Sequence, residues 1–309
     1  MKFRRALFWF SFALASLSLG AAPTTAPARV LIIVGPSNHP PGSHEVAASG
    51  RLLKHCVEHM DNLPGVQVDL VNEWPVDRSR RDRAATVILL GDTFPAMRLP
   101  NAQRNLADLA EMMARGCGIV CVHYSTGLRA EDVAGDGEHP LLHWTGGYFA
   151  TRCKHHQSVA KIFPSVTISP AAANHPVSRG WREFTVSEEP YYNNYFGRDG
   201  NRLAPGVTAL ATSMLPPESP KREIVAWSIE RPDGGRGFGI VMPHFYRNWK
   251  NEDLRRFILN GVAWTAKLEV PATGVRTTLP DLATFAPESI EPKPRETKAK
   301  ASAAQPKRK

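Results

Sequence analysis

The feature that most constrains this chain is an alternation of short apolar runs with longer amphipathic ones. Arg29-Val-Leu-Ile-Ile-Val34 is apolar and rich in β-branched residues, which reads as a buried strand. Residues 45–60 follow as a helix, 66–70 and 86–90 as two further strands, 101–115 as an amphipathic helix stopped by Gly116, and 118–122 as a fourth strand. Strands that are apolar throughout need cover on both faces, and a strand–helix–strand rhythm supplies it with helices on either side of a mostly parallel sheet. The later part of the chain has shorter strands and longer loops. Glu223-Ile-Val-Ala-Trp-Ser-Ile-Glu230 and Gly237-Phe-Gly-Ile-Val-Met242 flank Arg231-Pro-Asp-Gly-Gly-Arg236, a turn signal for a hairpin. Asn251 caps a closing helix over residues 252–267, with acids in its first turn. There is no internal repeat and no linker, so residues 29–270 read as one α/β domain.

The two ends of the chain differ from this body. Lys2, Arg4 and Arg5 precede an apolar stretch over residues 7–19, and small residues follow at Ser18, Gly20, Ala21 and Ala22. That is the pattern of a signal peptide over residues 1–22, and the apolar stretch is too short to span a bilayer comfortably. The expectation is an exported protein, periplasmic or extracellular, with no membrane span once the signal is removed. Residues 288–309 are rich in Lys, Pro, Ala, Glu and Ser, and read as a disordered basic tail. The net charge of +9 sits largely in these two ends, and the body is near neutral. Nothing in the body therefore favours nucleic acid as a partner. Arg78-Ser-Arg-Arg-Asp-Arg83 reads as a solvated face. Cys56, Cys117, Cys121 and Cys153 show no zinc-ribbon spacing and read as buried thiols acting as small hydrophobes.

In an open parallel sheet, ligands bind at the carboxyl ends of the strands. Three histidine-bearing segments begin where an apolar strand stops: His39 with His44-Glu45, His123-Tyr124, and His244 with the segment to Trp249. If the strands run parallel, all three face one rim. Imidazole suits such a site, because it exchanges protons near neutral pH and its neutral form binds zinc-like metals. Trp144-Thr-Gly-Gly-Tyr-Phe149 would let backbone approach a ligand at Gly147, and Ser187-Glu-Glu-Pro-Tyr-Tyr-Asn193 offers two acids before aromatics. Adjacent side chains of an extended segment point opposite ways, so only one of Glu188 and Glu189 can face a pocket. No nucleophile elbow of the GxSxG type, no GxGxxG after the first strand and no P-loop occurs, which leaves a nucleotide cofactor unsupported.

Taken together these segments resemble the ThuA-like (trehalose utilisation) family. The carrying pieces are Pro40-Pro-Gly-Ser-His-Glu45, Gly116-Cys-Gly-Ile-Val-Cys-Val-His123, Trp144-Thr-Gly-Gly-Tyr148, Asn174-His-Pro-Val-Ser-Arg-Gly180, Glu188-Glu-Pro-Tyr191, Gly235-Arg-Gly-Phe-Gly with residues 244–249, and Asn260-Gly-Val-Ala-Trp264. The resemblance implies a class I glutamine amidotransferase-like fold, a flavodoxin-like three-layer sandwich. In that superfamily the elbow after the fourth strand often holds a nucleophilic cysteine. Here His123 takes that place, so glutaminase activity is not expected. The family is linked to disaccharides and keto-sugars, which implies a small-molecule sugar as partner. The late segment commonly carries a second histidine where this chain has Tyr246.

These readings combine into one expectation. An exported, sugar-directed hydrolase, lyase or isomerase would use His123, His244, Glu189 and Glu45 for catalysis. His39, Gly147, Tyr191, Asn248 and Trp249 would bind substrate, and a divalent, zinc-like metal would sit on His44, His123 and His244. The competing reading is a non-catalytic sugar-binding or envelope interaction protein on the same fold.

Overall fold

The computed structural model describes residues 27–294. The expected signal peptide, and the tail from residue 295 on, lie outside the described residues. In chain order the first half forms β1 (Ala28–Val34), α1 (Val46–Glu58), β2 (Val66–Val71), α2 (Arg78–Arg83), β3 (Thr86–Leu90), α3 (Pro95–Arg98), α4 (Ala102–Ala114) and β4 (Gly118–Val122). The second half forms β5 (Gly127–Arg129), α5 (Pro140–Thr145), β6 (Phe149–Thr151), β7 (Phe163–Pro170), β8 (Phe184–Glu188), β9 (Val207–Leu215), β10 (Lys221–Glu230), β11 (Arg236–Ile240) and α6 (Glu252–Thr265).

One sheet of nine strands runs in the order β2-β1-β3-β4-β11-β10-β9-β7-β8. β1 pairs parallel with β2 and β3, β3 with β4, and β4 with β11. From β11 outward the pairings are antiparallel: β10 on β11, β9 on β10, β7 on β9 and β8 on β7. The sheet is therefore mixed rather than mostly parallel. The cause is the tight β10–β11 turn. Arg231 N–H donates to Gly235 O, and the Asp233 carboxylate accepts from the Gly235 N–H and the Arg231 guanidinium. A turn this short can join only antiparallel neighbours. The small β5–β6 pair stands apart from the main sheet.

Helices cover both faces. Along β1, Val30, Ile32 and Val34 face a core completed by Leu52, Leu53 and Cys56 of α1 and Leu254, Phe257 and Ile258 of α6. Leu31 and Ile33 face the other core, with Leu109, Met112 and Met113 of α4 and Leu141 of α5. This period-two split of an unbroken apolar run is what a strand buried on both sides requires. All four cysteines are free and buried, and burial holds the thiols of Cys56, Cys117 and Cys153 up at about 11. In the basic run of α2, Arg78, Arg80 and Arg83 are exposed, but Arg81 is buried and pairs with Asp108 at 3.2 Å.

The body does not stop at residue 270. Val275, Leu282 and Phe285 are buried in the core that holds α1, and Arg51 donates to the carbonyls of Phe285 and Ala286. Residues 288–294, expected in the tail, are bonded to the body. Glu288 and Ser289 donate their N–H groups to the Glu45 carboxylate, and Lys293 N–H donates to Pro41 O. A few well-spaced apolar side chains, with Ile290 packed partly into the core, anchor a stretch whose composition is otherwise polar and proline-rich.

Two helical turns begin at His-Pro pairs. His139 Nδ1 accepts from Leu141 N–H at 3.0 Å, and His175 Nδ1 accepts from Val177 N–H at 3.2 Å. An imidazole caps in this way only when neutral. Burial lowers both side chains from 6.5 to about 4. Their folded pKa lies below the unfolded one, so this stabilisation is complete above about pH 6.5 and is lost as pH falls toward 4. His139→Asn keeps a side-chain acceptor but does not titrate. Thermal melts between pH 7 and pH 4 should show the variant losing roughly 1–3 kcal/mol less stability than the parent chain over that window. Identical pH slopes for the two would refute this role of His139.

Candidate active site

β1, β3, β4 and β11 are neighbours and run parallel, so their carboxyl ends share one rim. The loop after β1 brings His39 and His44 to that rim, the residues after β3 bring Asp92, the end of β4 brings His123, and four residues beyond β11 the chain reaches His244. Three residues of these turns are conformationally costly. His44, Glu45 and His123 have φ of 58°, 41° and 51°, a region that ordinary side chains avoid at about 1–2 kcal/mol each. Specific bonds hold them there. His44 N–H donates to His244 O at 2.7 Å, Ser43 bridges Phe245, and Ser125 Oγ accepts from Val122 N–H while donating to Leu89 O.

The result is a triangle of imidazole nitrogens. His44 Nε2, His123 Nε2 and His244 Nδ1 lie 3.0, 3.1 and 3.2 Å from one another. The far side of two rings fixes their tautomers. His44 Nδ1 donates to Asp92 Oδ1 at 2.5 Å, and His123 Nδ1 donates to Val241 O at 2.9 Å. In the neutral rings both Nε2 atoms are then bare, and two lone pairs face each other across 3.0 Å. Adding protons is unfavourable. Burial, then the neighbouring histidines, hold His123 well below its ordinary value, and burial holds His44 down at about 4 against the pull of Asp92.

Carboxylates frame the triangle. Glu189 Oε2 lies 3.0 Å from His244 Nδ1 and 4.0 Å from His123 Nε2. Its neighbour Glu188 faces the other way, is fully buried, and accepts from His244 N–H at 2.6 Å and from Asn248 Nδ2 at 2.6 Å. One acid of the adjacent pair faces the site and the other braces its backbone, as an extended chain demands. Burial would raise the Asp92 carboxyl, but donation from His39 and His44 overcomes this and holds it well below the usual carboxylate range.

Not every expected residue is placed in the site. His39 stacks on His44 at 3.4 Å between ring centroids and bonds to Asp92 Oδ2. Tyr191 stacks on His123, with its hydroxyl 3.0 Å from Nε2. Glu45 turns away: its carboxylate accepts from the N–H groups of Gly42, Glu288 and Ser289, because the left-handed backbone at 44–45 sends consecutive side chains apart. Gly147 lies against the Phe196 ring, which fills the space a side chain would need. Asn248 is committed to Glu188 and Ser187 O. Trp249 is buried, and its indole N–H donates to Ser49 Oγ, so it supports α1 instead of lining a sugar pocket. Tyr246 points into the core, where its hydroxyl meets Leu282 O. Sequence reasoning missed Asp92 and the bracing role of Glu188. Asp92 was findable, since Gly91-Asp-Thr-Phe94 follows an apolar strand as the histidines do.

Access comes from one side. Behind the histidines the free space is about 10 Å³, enough for at most about one water. In front, a cavity of about 480 Å³ is lined by His39, Glu189 and His244 among others. The donor set of His44, His123, His244 and Glu189 suits a metal ion: its ligating atoms all lie within 4.8 Å of one another. Ligands about 2.0–2.1 Å from a tetrahedral zinc stand roughly 3.3 Å apart, close to the spacing of the three nitrogens.

The family model described as "Trehalose utilisation", ThuA, matches residues 29–265. Among solved structures, a ThuA-like protein from Bacteroides uniformis aligns with a TM-score of 0.56 at 15% identity, over 79% of this chain and 94% of that one. A second ThuA-like protein, from Parabacteroides merdae, aligns with a TM-score of 0.52 at 16% identity, over 82% and 98%. No curated protein matches the chain. At these identities the structures are alike in fold.

The two adjacent acids should respond differently to deletion. Glu188→Ala strands buried donors at His244 and Asn248, at about 1–3 kcal/mol for each group left unpaired, and should cost roughly 2–5 kcal/mol of stability. Glu189→Ala removes a side chain with fewer bonds to lose and should change stability by less than about 1 kcal/mol. Chemical denaturation of both variants checks this. Equal losses would mean that the pair does not divide its roles.

Proposed function

This chain belongs to the ThuA family, and from that premise we propose that it is an exported, sugar-directed enzyme of disaccharide or keto-sugar utilisation. We place a divalent, zinc-like cation on His44, His123 and His244. One observation carries the reading: two imidazole nitrogens, each made bare by a hydrogen bond on its far side, face each other at 3.0 Å in a dry pocket. With His244 Nδ1 and the Glu189 carboxylate converging on the same point, a cation suits the cluster, burial disfavours a proton there, and the Tyr191 hydroxyl beside His123 Nε2 can cover only that one lone pair. The strand order β2-β1-β3-β4-β11 supports the finer fold assignment, a flavodoxin-like, class I glutamine amidotransferase-like sandwich extended on one side by antiparallel strands. His123 occupies the elbow after β4 where that superfamily often has a cysteine, which argues against glutaminase chemistry. Export is supported by the basic start, the apolar stretch and the small residues before position 23.

A bound cation of this kind polarises a substrate oxygen and makes a nearby carbon or water more acidic. The chain's own groups do the rest. Glu189 is the carboxylate at the open side of the triangle and lines the front cavity, so it is the group positioned to take a proton from substrate or water and return it. Burial pushes the Tyr191 hydroxyl well above its ordinary value, so it keeps its proton and has one to donate in a hydrogen bond. Asp92 holds His44 in the tautomer that presents Nε2, and His39 shields that pair from the cavity side. Elimination and isomerisation of a keto-sugar need a base to remove a proton beside the carbonyl, and hydrolysis needs a base to take one from the attacking water; Glu189 is positioned for either.

Two measurements test this reading. Elemental analysis after equilibration with Zn²⁺ should find one ion per chain, and Asp92→Asn should weaken the affinity about 10–100-fold in a chelator competition. Turnover is then assayed on trehalose, other disaccharides and their keto forms. His123→Ala and His244→Ala should lose at least about 100-fold in rate while retaining sugar binding. A protein that binds these sugars but turns none over would be a binding protein, and one that takes up no metal would remove the cation.

A further inference from the structure

We propose that residues 292–294, carried by an anchored segment that begins at residue 288, form one wall of the substrate mouth and that this wall, with Ile162 opposite, seats the apolar face of a sugar ring above Glu189 and His244. The proposal rests on the sugar-directed reading above and adds the subsite that sets affinity. The segment lies beyond the stretch matched by the family model, which ends at residue 265.

The segment is fixed where it lies. The Glu45 carboxylate accepts from the N–H groups of Glu288 and Ser289 at 2.9 and 3.0 Å, Lys293 N–H donates to Pro41 O at 2.9 Å, and Arg247 pairs with Glu291 at 2.8 Å. Gly42 lies directly beneath it: a Cβ on Gly42 would come within 2.2 Å of Glu291 O. All of these anchors belong to the two loops that carry His39 and His44 on one side and His244 on the other. The segment is therefore bolted to the site itself.

The front cavity of about 480 Å³ has two kinds of lining. His39, Glu189 and His244 make its polar floor. Ile162, Phe245, Pro292 and Pro294 make an apolar side, and Ile162 leaves 51% of its surface to solvent. A cavity of this size is in the range of small-ligand sites. A pyranose has one face of C–H groups and a rim of hydroxyls. Resting its C–H face on the isoleucine and prolines brings the rim toward the carboxylate and imidazole, and covering that apolar surface supplies binding energy without any charge.

The test uses the full chain and two variants remote from the histidines. Ile162→Ser removes apolar surface from the cavity lining that completes the wall, and Ser289→Pro removes one of the N–H groups that Glu45 holds and so loosens the wall itself. Trehalose and its keto derivative are titrated calorimetrically into each protein, and Zn²⁺ affinity is measured alongside. Both variants should bind the sugar about 5–20-fold more weakly with unchanged Zn²⁺ affinity, and in turnover the loss should fall on KM with kcat kept. Ser289→Pro should also be cut faster by protease between residues 287 and 294. Sugar affinity unchanged in both variants overturns the wall while leaving the sugar reading standing. A parent chain that binds neither sugar overturns both.

Discussion

The structure turns on two hydrogen bonds that point away from the site. Asp92 and the Val241 carbonyl each accept a hydrogen bond from the Nδ1–H of a histidine, and in doing so they decide what the opposite nitrogen presents. Without those acceptors, His44 and His123 would share a proton between their Nε2 atoms and the pocket would be an ordinary buried polar cluster. With them, the neutral rings turn lone pairs on one another in a space from which water is nearly excluded. The surrounding architecture holds that unfavourable arrangement in place. The bond from His44 N–H to His244 O and the buried Glu188 under His244 act against relaxation of the triangle and hold the left-handed backbone at His44 in place.

Parallel strands make this possible at low entropic cost. Four neighbouring strands end on one rim, so residues far apart in sequence meet without long loops. The antiparallel half serves a different purpose. Its outermost strand, β8, ends in Glu188 and delivers Glu189 and Tyr191 to the front of the triangle. The parallel half thus supplies the three histidines with Asp92, and the antiparallel half supplies the acid and the phenol.

Much of this was legible in the sequence. The strand runs at 86–90 and 118–122 are found where their apolar β-branched pattern places them, and the histidines at strand ends converge as strand direction requires. The sheet's mixed character was harder to see, because a hairpin signal gives the local reversal but not how many strands follow it outward. Glu45, Asn248 and Trp249 were misplaced for a common reason. Sequence position brings a residue to a loop, but a side chain's direction depends on backbone torsion, and the left-handed turn at 44–45 sends Glu45 away from the site. The ordered segment at 288–294 was masked by its composition, since proline and charge read as disorder unless the partner surface is known.

The division of labour between Glu188 and Glu189 has a consequence for how this site tolerates genetic change. The two acids owe their opposite roles to the alternation of one strand, and that strand is the outermost of the sheet, paired only with β7 and already irregular in register near Phe163. A substitution at either acid is a local loss. Gain or loss of one residue within β8 would exchange the acid that braces the backbone with the acid that meets the substrate and would displace Tyr191 with them, while the histidines and Asp92 stayed in place. Variation in length along this edge is therefore more damaging to the site than a single substitution on it.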